Sequence, residues 1–481
     1  NIDPLSGNLH LSHVDLVVPG NGGMDIKIQR SYNSDNIYIS HKTVTNLAPN
    51  LTELLHRTPT GLGWSMHFGR VLKTKSPADS SISVCEDPGI TSLPGADSTL
   101  NNAILELPDG TRTTLFVNST AFSTRFITKD QWVATCTTTN GLLVISPDGT
   151  KYTMDYHRML METDLTEHHA WYTTRIEDRN GNWISIAYNT ANTSAGMEPM
   201  FSGITTSDQR SVSFGYTDAN TSTMRLTSIT ANGQTWTYGY TPVTDYTGGY
   251  YQLASVLRPD GRSWNYSYYA RTTGAAGNRI LNTVTHPYGG TVAYDYGYVC
   301  FNATASTSCA TVYNIFYSLV VKSKVNGGRD VKPGTWSFSY APSTTEDVTT
   351  VTFPGGKYVY RHYGTQSVLG APTIQTDRLW KMGLLKVKET WDTGKNTLLS
   401  SETYTWQPLY KISNETYIRP PYDGIDATLY YDSVVWVPIL TQKVITRDGT
   451  AYTTTYSNFD VSYNPQTITE TGQASRTTNL T

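Results

Sequence analysis

The sequence predicts an all-β protein of repeated antiparallel hairpins joined into one large continuous sheet. Three observations predict it. A glycine is followed by bulky residues at three, five and seven positions further on, and the frame recurs along most of the 481 residues. Charged residues make up only 16% while tyrosine alone numbers 34. Long runs with the 3.6-residue period of a helix are scarce. The frame is clearest after Asn232-Gly233, with Trp236, Tyr238 and Tyr240, and after Asp260-Gly261, with Trp264, Tyr266 and Tyr268. It also fits Asp148-Gly149 with Tyr152, Met154 and Tyr156; Asn180-Gly181 with Ile184, Ile186 and Tyr188; Gly289 with Val292, Tyr294 and Tyr296; and Asp448-Gly449 with Tyr452 and Tyr456. Asp-Gly and Asn-Gly readily take the positive backbone angles of two-residue hairpin turns, and alternate large residues put one strand face into a core. One hairpin cannot bury that face alone, so neighbouring hairpins must join.

In chain order, residues 1–75 form an N-terminal β segment: two alternating stretches, 9–18 and 24–32, flank the glycine-rich connection 19–23. Residues 47–57 read as a short helix. Residues 76–104 are a loop-rich connection, rich in Ser, Asp, Pro and Gly. The repeat array spans 105–464, with insertions near 190–200 and 407–437, and 465–481 is a polar C-terminal end. An array that stops without a cap exposes a strand edge, so self-association is expected.

A net charge of −3 offers nucleic acid and anionic membranes no general attraction. No stretch approaches the roughly 18 uninterrupted apolar residues of a spanning helix. The four cysteines, Cys85, Cys136, Cys300 and Cys309, are disulfide candidates. Cys300 and Cys309 bracket a short polar segment, which would leave Cys85 with Cys136; unpaired buried thiols are the alternative.

The candidates for chemistry are sparse. His13 and Asp15 share a strand face and His10 takes the other, so one face supplies at most two metal ligands and the group reads as exposed strand polars. His168 and His169 diverge in extended backbone. Glu86-Asp87 and Glu346-Asp347 sit in loop-like sequence. There is no nucleophile elbow and no reactive cysteine setting, so no enzymatic activity, no metal and no cofactor is expected. The aromatic triads suit either a stacking platform for sugar rings or the wall of a sheet; their repetition favours the wall. Buried at such a wall, Trp264 truncated to Ala would cost roughly 3–5 kcal/mol.

The ladder of turn and Tyr-x-Tyr strands, with a literal Tyr-Asp in Ala293-Tyr-Asp-Tyr296, resembles the YD repeats of RHS-repeat proteins. So does the opening Asp3-Pro-Leu-Ser-Gly-Asn-Leu9, followed by Asp15-Leu-Val-Val-Pro-Gly20 and Ile28-Gln-Arg-Ser-Tyr-Asn33. The resemblance implies a β-sheet winding into a hollow shell, bacterial and exported, which in that family encloses and releases a C-terminal toxin. Most copies here replace the signature Asp, and the C-terminal core signature with its self-cleaving aspartates does not occur in the chain. Partners expected on this reading are further copies or the rest of a longer RHS-type chain. The other readings are an adhesion or glycan-binding surface module, with recognition loops near 40–60, 190–200 and 407–437, and a fragment of a self-processing toxin carrier.

Overall fold

A computed structural model of the chain describes residues 1–36, 58–75, 84–85, 103–117, 126–138, 140–162, 167–189, 197–219, 221, 223–244, 249–270, 279–300, 317–343, 345–364, 381, 383–392, 394, 396–409, 417–418, 431–432, 437–460 and 464–480. The helix expected over 47–57, Glu86-Asp87 and the Cys300–Cys309 pairing lie outside the described residues or side chains, as does most of the recognition loops near 40–60, 190–200 and 407–437.

The protein is all-β, a large antiparallel sheet of consecutive hairpins with no α-helix among the described residues. From Trp183–Tyr188 to Ser475–Asn479 each described strand of the long sheet pairs with the one before it and the one after it. The strands Pro465–Thr471 and Ser475–Asn479 carry the ladder into the polar C-terminal end. The sheet as a whole does not close into a barrel. Its N-terminal part loops back on itself locally, because the strand Glu167–Glu177 has a divided edge. Glu167 to Tyr172 pair with the strand Arg70–Lys75, while Arg175 to Glu177 pair with Trp183–Tyr188.

The six repeat glycines Gly149, Gly181, Gly233, Gly261, Gly289 and Gly449 all have φ between 71° and 88°. Their turns are of two kinds. Asn232-Gly233 and Asp448-Gly449 have positive φ at both residues and join strands directly, Ala231 opposite Gln234 and Arg447 opposite Thr450. These are the expected two-residue turns. The other four are one residue longer: Gly261 N–H donates to the Arg258 carbonyl and Arg258 N–H to the Arg262 carbonyl, with matching pairs at Gly149, Gly181 and Gly289. There the glycine is the left-handed residue after a turn, and only it needs positive φ. We expect Gly233→Val and Gly261→Val each to cost more than about 1 kcal/mol in chemical unfolding. A Cβ at either position meets nothing within 4 Å, so the penalty is the backbone's alone. No loss at either site would remove this account of the turns.

A second device recurs one turn later. Opposite the third aromatic of a triad the facing strand carries one extra residue. Gly239 faces Ser255 and Tyr240 faces Leu253; Ser267 faces Thr283 and Tyr268 faces Leu281; Asp295 faces Ser323 and Tyr296 faces Val321. Such a bulge bends the strand and frees backbone groups. The next third-position tyrosine satisfies one of them: the hydroxyls of Tyr268, Tyr296 and Tyr340 donate to the carbonyls of Leu253, Leu281 and Val321 at 2.7, 2.9 and 3.0 Å. Tyr188 does the same to Thr173 at 2.7 Å. A buried hydroxyl needs a partner, and the bulge provides it, which is why the third position suits Tyr better than Phe.

The core lies between one face of this sheet and the N-terminal segment. The strands His10–Val18 and Ile26–Asn33 form the expected hairpin, and Trp64–Ser65 adds a third strand. Leu9, Ile26, Ile28, Tyr32 and Trp64 are buried against Leu226, Ile229, Leu253, Val256, Leu281 and Val284 of the repeats. A separate cluster around Leu105, Leu115, Leu142, Met154 and Trp171 fills the locally looped part. Beside it Cys85 and Cys136 form a disulfide across 51 residues of sequence.

Candidate functional site

The repeat aromatics sit where the N-terminal hairpin meets the sheet. Trp236, Tyr238, Tyr266, Tyr294 and Tyr296 are buried; Tyr240, Trp264 and Tyr268 are half-buried and packed on the same core. The hydroxyls of Tyr238, Tyr240, Tyr266 and Tyr268 meet the N-terminal segment. Tyr238 donates to an Asp15 carboxylate oxygen at 2.7 Å, and Tyr240 to the Pro59 carbonyl at 3.1 Å. Trp64 Nε1 donates to the Tyr268 hydroxyl at 2.8 Å, and the Leu281 N–H donates to the Tyr32 hydroxyl at 2.9 Å.

At the centre is an ion pair that the reading of exposed strand polars misplaced. Arg30 Nε lies 3.0 and 2.9 Å from the two Asp15 oxygens, with side-chain exposures of 0% and 1%. The guanidinium also stacks over the Trp64 and Tyr266 rings, at 4.9 and 5.1 Å. Burial alone would lower the Arg30 pKa, but Asp15 beside it holds it above its ordinary value. Asp15 is the extra residue of a bulge in its own strand, between Val14 facing Gln29 and Leu16 facing Ile28.

The Tyr266 hydroxyl links Arg30 to His13. Arg30 Nη1, which can only donate, is 2.6 Å from the Tyr266 hydroxyl, and that hydroxyl is 2.8 Å from His13 Nδ1. Tyr266 accepts from Arg30, and which way its contact with His13 Nδ1 runs follows the ring's tautomer. Burial, reinforced by Arg30, pushes His13 down to about 2. His157 is lowered to about 4 by burial and by His169. Both keep neutral rings in the fold at pH values where the unfolded chain protonates them. Stability should thus fall on acidification, by about 1.4 kcal/mol per pH unit below 6.5 for His13 alone. We expect His13→Gln to be less stable at pH 7.5 yet to show a flatter decline in urea midpoint toward pH 5. Parallel pH profiles for the two proteins would contradict a buried neutral His13.

A second polar network lies in the looped part. Arg70 donates to Glu198 at 2.6 Å, to Glu106 at 3.1 Å and to the Tyr172 hydroxyl at 2.9 Å. Glu106 also receives Arg112 at 2.9 Å and lies 3.1 Å from His67 Nε2. Burial would raise Glu106, but Arg112, Arg70 and His67 hold it well below the usual range.

His10 lies apart from His13 and Asp15, over Gly110. His169 pairs with His157 across strands at 3.0 Å rather than with His168. Of Glu346-Asp347, Glu346 lies in the loop as expected and accepts from Arg361 at 2.7 Å, whereas Asp347 opens the strand Asp347–Phe353 and is buried. Sequence reasoning passed over Arg30, Arg70 and Glu198. For Arg30 the available signal was an ionic residue in mid-strand of a chain with few charges, since such a residue is buried only with a partner; Arg70 at a strand start and Glu198 outside any strand carried no such signal. Among the described residues no group of three or more His, Cys, Asp or Glu side chains is placed to hold a metal. Of the described residues, no helix is long and apolar enough to cross a membrane.

No protein-family model matches the chain, and no curated protein matches it. Among solved structures it is similar to TcdB2-TccC3, at 11% identity and a TM-score of 0.20, covering 98% of this chain and 20% of that one. It is also similar to the N-terminal domain of effector protein SpvB from Salmonella typhimurium, at 10% identity and 0.19, covering 68% and 100%. A porin-like protein from Bacteroides uniformis matches at 10% and 0.20, covering 55% and 98%. The chain spans about a fifth of the length of the first of these.

Proposed function

We propose that the chain is a non-enzymatic, exported β-scaffold of the RHS/YD-repeat type, a wall segment of a shell or of an extracellular surface assembly. One observation carries this reading. The hydroxyls of Tyr238, Tyr240 and Tyr266, which a sugar-binding platform would present to a ligand, are committed to Asp15, Pro59, Arg30 and His13 of the chain's own N-terminal segment. The triads there work as wall. Export is supported by the Cys85–Cys136 disulfide, since such bonds persist in oxidising compartments. Further copies or the remainder of a longer RHS-type chain are the partners this reading favours.

The test is direct. Protein recovered from its native compartment under alkylating, non-reducing conditions should carry the intact bridge. Reducing it should destabilise the fold by about 4 kcal/mol in the chain-entropy estimate for a loop of this size, read from urea midpoints with and without dithiothreitol. Titration with soluble oligosaccharides should leave tryptophan fluorescence unchanged. Free thiols at both positions would overturn export, and a saturable sugar response abolished by Trp264→Ala would favour the glycan-binding module instead.

A further inference from the structure

The strand Ser475–Asn479 forms an edge of the long sheet. Among the described strands it pairs with Pro465–Thr471 alone, in unbroken register from Thr471 opposite Ser475 to Thr467 opposite Asn479. The ladder fixes which backbone groups are spent. Gly472 N–H donates to the Ala474 carbonyl and Leu480 N–H to the Gln466 carbonyl, and along an antiparallel pair such inward positions alternate with outward ones. Ser475, Thr477 and Asn479 therefore turn their N–H and C=O groups away from the hairpin, and all three residues are exposed. The usual guards of an edge are scarce there. The strand has no proline and no bulge, and its single charge, Arg476, faces Glu470 within the hairpin.

At its front the sheet offers no matching edge, because Arg70–Lys75 and Glu167–Glu177 pair with each other and turn that part back on itself. Joining head to tail needs two different edges, whereas joining like to like needs one and closes at two copies. We propose that a second copy of this chain pairs antiparallel with Ser475–Asn479 through the same strand, Thr477 meeting its own counterpart on the two-fold axis and Ser475 meeting Asn479. In that register every outward N–H and C=O of the three residues finds a partner. Moving the axis to residue 476 would set Arg476 against Arg476, and like charges directly opposite are destabilising. Moving it to residue 478 would leave the outward groups of Ser475 unpaired. One short strand pair is far smaller than the roughly 1,600 Å² of a standard interface, so the dimer dissociates on dilution. The inference deepens the scaffold reading, in which further copies are partners, by naming the strand that joins them.

The experiment is sedimentation velocity on the 481-residue chain from micromolar to millimolar concentration. The expected result is a reversible monomer–dimer equilibrium with nothing larger. Thr477→Lys and Thr477→Glu each place like charges face to face and should each weaken the dimer by roughly fivefold or more. An equimolar mixture of the two should restore it, since Lys then meets Glu across the axis. Thr477→Pro, which removes an N–H that the chain's own ladder does not use, should abolish the dimer while the urea midpoint holds. Gln234→Lys, on an exposed strand position elsewhere, should change nothing. A monomer at every concentration, a dimer indifferent to both charge variants, or a mixture that fails to restore it overturns the proposal. So does growth beyond the dimer, which would mean that a different edge, such as that of His10–Val18, paired on one side only, takes the strand. Any of these leaves the disulfide and oligosaccharide tests of the scaffold reading standing.

Discussion

Arg30→Met should destabilise the protein by about 3–5 kcal/mol, because it leaves the Asp15 carboxylate buried without its cation. The Tyr238 hydroxyl would remain as its partner, and one neutral donor does not replace a guanidinium at 2.9 Å. The double variant Arg30→Met with Asp15→Leu removes both charges and should recover most of that loss, since paired burial and apolar replacement are often close in free energy. Urea unfolding of the two single and the one double variant gives the coupling directly. A single-variant cost under about 1 kcal/mol would mean that water reaches Asp15 and that the hairpin is not seated as described.

Trp64→Ala should be comparably severe, at about 3–5 kcal/mol. The indole is fully buried, its ring centroid 4.9 Å from Tyr266 and 5.2 Å from Tyr32, with Arg30 over its face. Its N–H bonds the Tyr268 hydroxyl, which itself donates to Leu253, so truncation also weakens the staple between two hairpins. Trp264→Ala should cost less than the 3–5 kcal/mol its place in the triad suggested. That ring is only half-buried, held between His13 at 4.1 Å and His286 at 4.0 Å, and His286 is exposed. The ranking, with Trp64 well above Trp264, is what unfolding measurements on the two variants should return. The reverse order would mean that the repeat face, not the N-terminal segment, holds the core together.

Both predictions centre on residues to which the repeat frame is blind. The frame located the turns because a glycine at positive φ and the alternation after it are local requirements, met within about ten residues. It also located the aromatic face, since Tyr238 and Tyr266 follow from period two alone. It did not separate the two turn types, because Asp-Gly suits both and the choice rests on how the flanking strands register. It did not mark the bulges either: the extra residues Ala254, Asn282 and Lys322 share no residue type, and each is extra only relative to the strand it faces. The reading of His13 and Asp15 as exposed failed for a similar reason. A strand's alternation says which residues share a face, not whether that face meets water.

By itself, then, the sequence determined the secondary structure, the succession of hairpins and the identity of the inward aromatic triads, all consequences of short-range backbone sterics and alternation. Tertiary structure alone decided what those triads face. Arg30 meets Tyr266 across 236 residues and Asp15 meets Tyr238 across 223. Such contacts exist only because the first hairpin lies on the sheet that the later hairpins build. The burial that makes an Arg–Asp pair tolerable and a histidine neutral is a property of that packing, and no local pattern encodes it.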